Sequence, residues 1–501
     1  MIKLNMLFVF SYLIIGIYIF SLMTVFLYSL YQLKMLFYYK KNKKEIKQKT
    51  RFLKEEDLPK VTIQLPLYNE RYVLKRLLES VTTLDYPSNK LQIQILDDSS
   101  ESDHQFTKAI VNEFQKQGHS LDYLHRKNRK GFKAGALKEG FKKAKGDFIA
   151  IFDADFLPSK NWLLEVIPHF NTPQVGVIQT RWGHINRNYS VFTWAQSLAL
   201  DIHFRLEQMG RSLQNQFINF NGTAGIWRRS CIEDAGNWDG ETLTEDLDLS
   251  YRAQLKNWKI LYLEDIKCPA ELPVMLSGIR SQQFRWNKGG AENFKKHIKN
   301  IWSAENFSFS TKFFASLHLL NSSIFLFAFL ILFLSLPTFI IQKKIPSLQS
   351  NWIIITFFSS STLIFVRCYW EVHIQDFGKN WNSFLIFLKR FFFFYVFAMG
   401  FSFHNSWAVL EGHLGKKSPF LRTPKFDIQS SKDHWRGKQY SQPTNLLFAF
   451  FEMCFSFYFM FGCYLFFRWG EWQEIGFFLL FIVAFFGFGG LAMKSFKEKY
   501  L

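Results

Sequence analysis

Six apolar blocks frame one long polar stretch, and they constrain this chain more than any other feature. Residues 5–33 carry no charged side chain. Further apolar blocks lie at about 313–341, 352–366, 384–404, 445–467 and 475–493. An uncharged run of about 20 residues is long enough to cross a bilayer as a helix. Between Lys34 and roughly Thr311 the chain reads as an ordinary soluble α/β protein. The pattern predicts a multi-pass integral membrane protein with one large soluble insertion.

The first block is too long for a signal-peptide core and has no clear small-residue cleavage site, so it reads as a retained anchor. Lys40, Lys41, Lys43, Lys44, Lys47, Lys49 and Arg51 follow it directly. By the positive-inside rule the insertion is cytoplasmic and the N-terminus external. The formal net charge is +20 over 501 residues. Much of that excess sits beside apolar blocks, so the partner it implies is anionic lipid and the bilayer, not nucleic acid. The five cysteines form no Cys-x-x-Cys pair, which argues against a zinc site.

Within the insertion, strands and helices alternate. Val61 to Leu65 is a predicted strand, followed by a loop at Asn69-Glu70 and an amphipathic helix with Val73, Leu77, Leu78, Val81 and Leu84 on one face. A second strand, Ile93 to Leu96, ends at Asp97-Asp98. A third, Phe148 to Phe152, ends at Asp153-Ala154-Asp155. This alternation predicts a mainly parallel, Rossmann-like sheet. Ligands bind at the carboxyl ends of such strands, and all three acidic or polar ends fall there. Two hard carboxylates one residue apart suit a Mg²⁺ or Mn²⁺ ion that also holds phosphate oxygens; a solvated strand end is the plainer alternative. Neither a P-loop nor a Gly-x-Gly-x-x-Gly turn is present.

Further motifs carry two readings each. Thr244-Glu245-Asp246 opens a predicted helix: Thr244 is a candidate N-cap, and Asp246 a candidate general base toward a sugar hydroxyl. Gln282-Gln283-Phe284-Arg285-Trp286 is either an amphipathic, membrane-facing helix or a site where Trp286 stacks on a sugar and Arg285 holds departing phosphates. Lys133, in a glycine-bearing helix start, is placed to meet an anion. The stretch Asn219 to Gly225, with Thr223 inside it, is a turn or a binder of sugar hydroxyls.

Taken in order, Asp97-Asp98, Asp153-Ala154-Asp155, Thr244-Glu245-Asp246 and Gln282-Gln283-Phe284-Arg285-Trp286 resemble the motif series of glycosyltransferase family 2. Within it the resemblance is to cellulose-synthase-like processive polysaccharide synthases of the mannan and glucan synthase type. Gln64 to Glu70, Gly131 to Leu137, Gln179-Thr180-Arg181-Trp182, Asn219 to Trp227 and Leu243 to Leu249 add to it, over about residues 60 to 290.

The resemblance implies an α/β GT-A fold, combined here with an α-helical transmembrane region. It implies an inverting transfer of mannose or glucose from GDP-mannose or UDP-glucose, with Mg²⁺ or Mn²⁺. The acceptor is a growing, β-1,4-linked polysaccharide that is also translocated. Asp246 is then the catalytic base. Asp98, Glu70, Lys133, Asp153, Arg285, Thr423 and Lys425 bind the donor, and Asp153 and Asp155 the metal. Trp286, Gln282, Gln283, Thr223 and Glu245 face the acceptor. Transfer of a single sugar to a membrane lipid is the alternative, and a non-catalytic transport or assembly subunit a third reading.

Pro419 to Phe426 resembles the gating loop of cellulose synthases. Phe420, Thr423 and Lys425 fit its Phe-x-Val-Thr-x-Lys pattern, and Arg422 stands where Val is usual. The chain ends shortly after its last apolar block, so control through a C-terminal cyclic-dinucleotide-binding domain is not expected. The expected organisation is an anchor at 1–36, a cytoplasmic GT-A domain at 37–288, interfacial and transmembrane helices at 289–410, a cytoplasmic gating-like loop at 411–444 and a hairpin with its tail at 445–501. A cytoplasmic loop requires an even number of crossings after the soluble domain, yet three apolar blocks intervene. The block at 384–411, interrupted by Lys389 and Arg390, is therefore expected to lie at the interface. That leaves five crossings, with six as the alternative.

Overall fold

The computed structural model describes residues 2–42, 53–349, 351–435, 437–438 and 446–500. Lys43, Lys44, Lys47, Lys49 and Arg51 of the orienting basic run lie outside the described residues, as does the end of the gating-like loop at 439–444. Seven strands build one sheet: β1 (Val61–Leu67), β2 (Leu91–Asp97), β3 (Leu121–His125), β4 (Phe148–Ile151), β5 (Val175–His184), β6 (Gly225–Arg228) and β7 (Lys259–Ala270). Their order is β3-β2-β1-β4-β6-β5-β7. β3, β2, β1 and β4 run parallel, β5 and β7 pair in parallel, and β6 is antiparallel to both its neighbours.

Both faces of the sheet are covered, and the central strands β1 and β4 are buried along almost their whole length. On one side lie α1 (Leu74–Thr82) and α2 (Glu101–Lys116). Leu74, Leu77, Leu78 and Val81 recur at helical spacing and are fully buried against Ile63, Leu65 and Ile95. On the other side α3 (Phe132–Lys143) and α4 (Glu245–Leu255) pack Leu137, Phe141 and Leu249 on Ile149, Ile151 and Trp227. β4 ends at Ile151, two residues before the expected Asp153. Asp153 and Asp155 stand in the turn beyond it, which the Phe156 amide closes on the Asp153 carbonyl at 3.0 Å. Because β1, β2 and β4 are parallel neighbours, Glu70, Asp98 and the Asp153–Asp155 turn share one edge.

Among the described residues, six helices are long and apolar enough to cross a membrane. In chain order these are αA (Ile2–Asn42), αC (Ile324–Lys344), αD (Asn351–Phe377), αE (Trp381–Leu414), αF (Leu446–Trp469) and αG (Trp472–Tyr500); αB (Leu276–Ser303) is a more polar helix that carries the Gln-Gln-Phe-Arg-Trp motif. αA packs on αC through Tyr18, Leu22 and Ile331, and on αD through Tyr31, Met35, Cys368 and Val372. αF and αG form a hairpin sealed by Phe459, Phe466, Phe478, Phe481 and Phe485.

The divisions at 36, 288 and 410 each fall inside one continuous helix: αA, αB and αE. A switch from apolar to polar residues changes what covers a helix but does not break its hydrogen bonds. In αB, Gly289 and Gly290 remain helical because they allow close approach: a Cβ on Gly289 would lie 2.4 Å from the Thr244 hydroxyl, and one on Gly290 2.6 Å from Ser322.

αE touches the sheet domain near its start and αB near its end. Near its start, Arg390 donates to the Ser197 hydroxyl at 3.2 Å. At its end, Glu411 meets the buried Lys288 ammonium at 3.2 Å. The end of αD is likewise tied to the domain through Asp376, which pairs with Arg187 and Arg205 at 2.7 and 2.6 Å.

Candidate active site

A cavity of about 180 Å³ opens at the carboxyl edge of the sheet. Glu70, Asp98, Lys133, Asp153, Asp155, Glu245, Asp246, Gln282, Arg285, Trp286, Thr423 and Lys425 all line it. Of the residues expected at the site, only Gln283 and Thr223 lie off this wall. Gln283 lines a second, neighbouring cavity. Thr223 is fully buried, and its hydroxyl accepts the Asp153 amide at 2.8 Å. Its place is therefore behind the turn, holding Asp153, and the acceptor-facing role expected of it is corrected. Asn221 and Gly222 of the same stretch are the residues that reach the cavity.

Lys133 is the hub of the cavity floor. Its ammonium donates to Asp153 at 2.5 Å and to the Gly222 carbonyl at 2.9 Å, and lies 3.9 Å from Glu245. Burial opposes its charge, but Asp153, Glu245 and Asp246 together hold its pKa above the ordinary value. Asp246 begins α4. Burial, reinforced by the adjacent Glu245 carboxylate, pushes it up to about 7 against the pull of Lys133. Burial raises Glu245 as well. The Asp246 carboxylate accepts the Leu247 amide at 2.9 Å. Thr244 stands at the N-cap position without capping; its hydroxyl accepts from Asn293 of αB at 2.9 Å instead. Gly222 adopts φ +82°, and a Cβ there would lie 2.9 Å from the Asp246 carboxylate, so glycine is what lets the base approach this turn.

Asp98 is gripped by the Arg126 guanidinium, whose Nε donates at 2.7 Å and whose Nη2 closes a second bond. Arg126 also ties down the Lys130 and Phe132 carbonyls, so the pair shapes the basic loop before α3. Asp97 points elsewhere. It is fully buried and accepts from Tyr123 at 2.6 Å and from the Ser99 amide at 3.0 Å, beside His104 and His125.

The segment between αE and αF reaches back over this cavity. Arg422 forms a two-armed pair with Glu70, with Nε at 2.7 Å, and donates to the Asn69 carbonyl at 2.7 Å. Thr423 accepts from Arg285 at 3.1 Å, and the Arg285 guanidinium lies 4.4 Å over the Phe420 ring, which in turn stacks on Phe132 at 5.5 Å. Lys425 pairs with Asp155 at 2.7 Å. Glu271, at the end of β7, accepts the Phe426 and Ile428 amides at 2.7 and 3.2 Å. Burial pushes Glu70 up to about 7 although Arg422 opposes it. Glu271 and Arg126 are missed by the motif reading. The signal for Glu271 was present only as one more acidic residue at a strand end.

The donor set suits a hard divalent cation. Asp153 and Asp155 each keep one carboxylate oxygen, Oδ2 and Oδ1 respectively, that accepts no hydrogen bond from the described residues. Two oxygens on one tight turn match oxygen-ligand chemistry.

The second cavity, of about 500 Å³, runs from this site between the long helices. Its walls include Tyr28 of αA, Phe325 of αC, Phe365 and Tyr369 of αD, and Phe394 of αE. Asp246, Trp286, Trp182, Asn221 and Gln282 line both cavities, with Trp182 and Trp286 6.3 Å apart between ring centroids.

Residues 62–234 match the family model described as "Glycosyl transferase family 2". The chain is 41% identical over 262 residues to a probable glucomannan 4-beta-mannosyltransferase 11 of Oryza sativa subsp. japonica, covering 51% of this chain and 45% of that protein. It is 38% identical over 261 residues to glucomannan 4-beta-mannosyltransferase 7 of Arabidopsis thaliana, covering 51% and 47%. The matches thus span about half the length of these relatives. The mannosyltransferase PcManGT from Pyrobaculum calidifontis, solved with GDP-Man and Mn²⁺, superposes with a TM-score of 0.52 at 16% identity, over 80% of this chain and all of that one. That likeness establishes the GT-A type of fold.

Proposed function

We propose, from the premise that this chain belongs to glycosyl transferase family 2 and is of its cellulose-synthase-like type, that it is an inverting β-glycosyltransferase which extends a hexose polymer and passes it through the membrane. The observation that carries this reading is the meeting of the two cavities at Asp246 and Trp286. One cavity is small, charged and closed over by the 420–425 segment; the other is long and aromatic. A base at their junction suits an acceptor chain that enters from the membrane side and a nucleotide sugar held at the sheet edge.

Asp246 takes the proton of the attacking hydroxyl. Its raised pKa lets it hold that proton near neutral pH. Trp286 and Trp182 offer ring faces to the acceptor sugar. Lys133 and Arg285 face the diphosphate, and Phe420 and Thr423 orient Arg285. A divalent cation held by Asp153 and Asp155 would neutralise charge developing on the leaving nucleoside diphosphate. GDP-mannose is the favoured donor and a β-1,4 link the favoured product, because the relatives are glucomannan 4-beta-mannosyltransferases.

In this reading αA, αC, αD, αF and αG cross the bilayer and αE lies along its inner face, because both ends of αE touch the sheet domain or αB. The glycosyltransferase domain is then cytoplasmic.

The test uses the full chain in lipid nanodiscs with labelled GDP-mannose or UDP-glucose and Mg²⁺ or Mn²⁺. Polymer sensitive to a β-1,4-mannanase or glucanase is expected. Lipid-linked monosaccharide in its place would overturn the polymer reading. Asp246→Asn should lower turnover by about 10²–10⁴-fold while donor binding persists; substantial residual turnover would sink the base assignment.

A further inference from the structure

The transfer reaction makes no use of the motif Thr180-Arg181-Trp182 beyond its tryptophan. β5 and β7 slip register after Thr180, so that Thr180 faces Leu263 but Arg181 faces Lys267. Two cations directly opposite on neighbouring strands repel each other. Arg181 is 7% exposed; its Nε donates to the Glu264 carbonyl at 2.8 Å, and its terminal nitrogens bond no described protein acceptor. The Lys267 ammonium has no described ion-pair partner either. Both residues line a cavity of about 650 Å³ at the edge of the sheet.

The other charges of that cavity are already balanced. Asp376 pairs with Arg187 and Arg205, and Asp201 takes the second arm of Arg187 at 2.8 Å. Glu264 accepts from the Tyr39 hydroxyl at 3.4 Å and its charge also acts on Arg181 and Arg205, without a hydrogen bond from the Arg181 terminal nitrogens. The Arg205 Nε is buried with no acceptor. Arg181 is the first cause of the lowered Lys267 pKa, as expected of a cation facing unbalanced positive charge. The cavity also sits where the long helices end: Asp376 is one residue from the end of αD, and Tyr39 three from the end of αA. Gln429, Ser430 and Ser431, just past the segment over the donor cavity, form its rim.

We propose that Arg181 and Lys267 form a phosphate-binding site that takes the headgroup of an anionic membrane lipid. The inference rests on the membrane-embedded reading above, but not on sugar transfer. Paired like charges on rigid strands cost stability until an anion lies between them, and two guanidinium nitrogens and an ammonium match a phosphate's oxygens.

Native mass spectrometry of the full chain, released from neutral detergent with phosphatidylglycerol or phosphatidylcholine, tests this. The wild type should retain phosphatidylglycerol preferentially, and Lys267→Gln should weaken that retention by about fivefold. Lys267 is exposed, so this variant should fold normally. Lys108→Gln, on α2 beside the opposite sheet edge, should bind like the wild type. Equal retention by all three proteins overturns the site. Displacement of the lipid by excess inorganic phosphate overturns the lipid source and assigns the site to a soluble phosphate. Because no readout uses sugar transfer, failure of the synthase reading would leave these outcomes interpretable.

Discussion

Asp246 and Asp248 stand two residues apart on one helix and end in opposite states. Asp248 is fully buried, yet His297 at 2.8 Å, Arg252 at 2.8 Å and Lys296 at 3.1 Å overcome the cost of burial and hold it well below the usual carboxylate range. Asp246 has no such set of donors, so burial and the Glu245 charge win and its pKa rises to about 7. A carboxylate held far below its normal value is a poor proton acceptor; one near 7 is matched to neutral pH. Both aspartates were visible in the sequence, but His297 and Lys296, which hold Asp248 low, come from αB, some 50 residues on. If Asp246 is the base, its active form is the deprotonated one. Polymer synthesis at saturating donor should therefore rise with pH through about 7 and level off above it, falling about tenfold per unit below. A flat profile from pH 5.5 to 8 would separate Asp246 from the rate-limiting proton transfer.

At the scale of elements, the segment between αE and αF is the clearest case of a motif whose exception is informative. Phe420, Thr423 and Lys425 were expected at the donor site, and all but the odd residue fitted the pattern. The structure gives that odd residue, Arg422, a two-armed contact with Glu70 across 352 positions of sequence. Replacing it by the more usual valine would leave a part-buried carboxylate without its cation. Arg422→Val should raise the donor KM by about tenfold with a smaller effect on turnover. Arg422→Lys should recover only part, since an ammonium cannot make the two-armed contact. Steady-state kinetics in donor concentration measure both, and an unchanged KM in Arg422→Val would remove the segment's docking from donor binding.

For the whole molecule, the route of the chain turns on αE. At 34 residues it is about 50 Å long, well beyond the roughly 30 Å of a hydrocarbon core. Its composition alone allows a crossing. In the proposed topology its contacts at Arg390 and Glu411 keep both of its ends on one side of the membrane. Single cysteines should therefore divide into two sets. Lys379→Cys, before αE, and Lys417→Cys, after it, should react with an impermeant thiol reagent from the same face. Ser347→Cys, between αC and αD, should react from the other. Labelling of Lys417→Cys together with Ser347→Cys would make αE a sixth crossing.

Local pattern was enough for much of this protein. Apolar run length marked the six long apolar helices, the sequence pattern marked β1, β2 and β4, and the topology of such strands put Glu70, Asp98 and Asp153 at one edge, because parallel strands present the same end together. What needed the tertiary structure was every property set by residues far apart in the chain. Thr223 turned out to hold Asp153 from behind, since only packing decides which side of a turn faces a cavity. The continuity of αA, αB and αE across 36, 288 and 410 was hidden because polarity changes there while backbone hydrogen bonding does not. The charge state of Asp246, the docking of Arg422 on Glu70 and the meeting of Arg181 with Lys267 all depend on burial and on partners brought close by folding, and no window of sequence contains both members of such a pair.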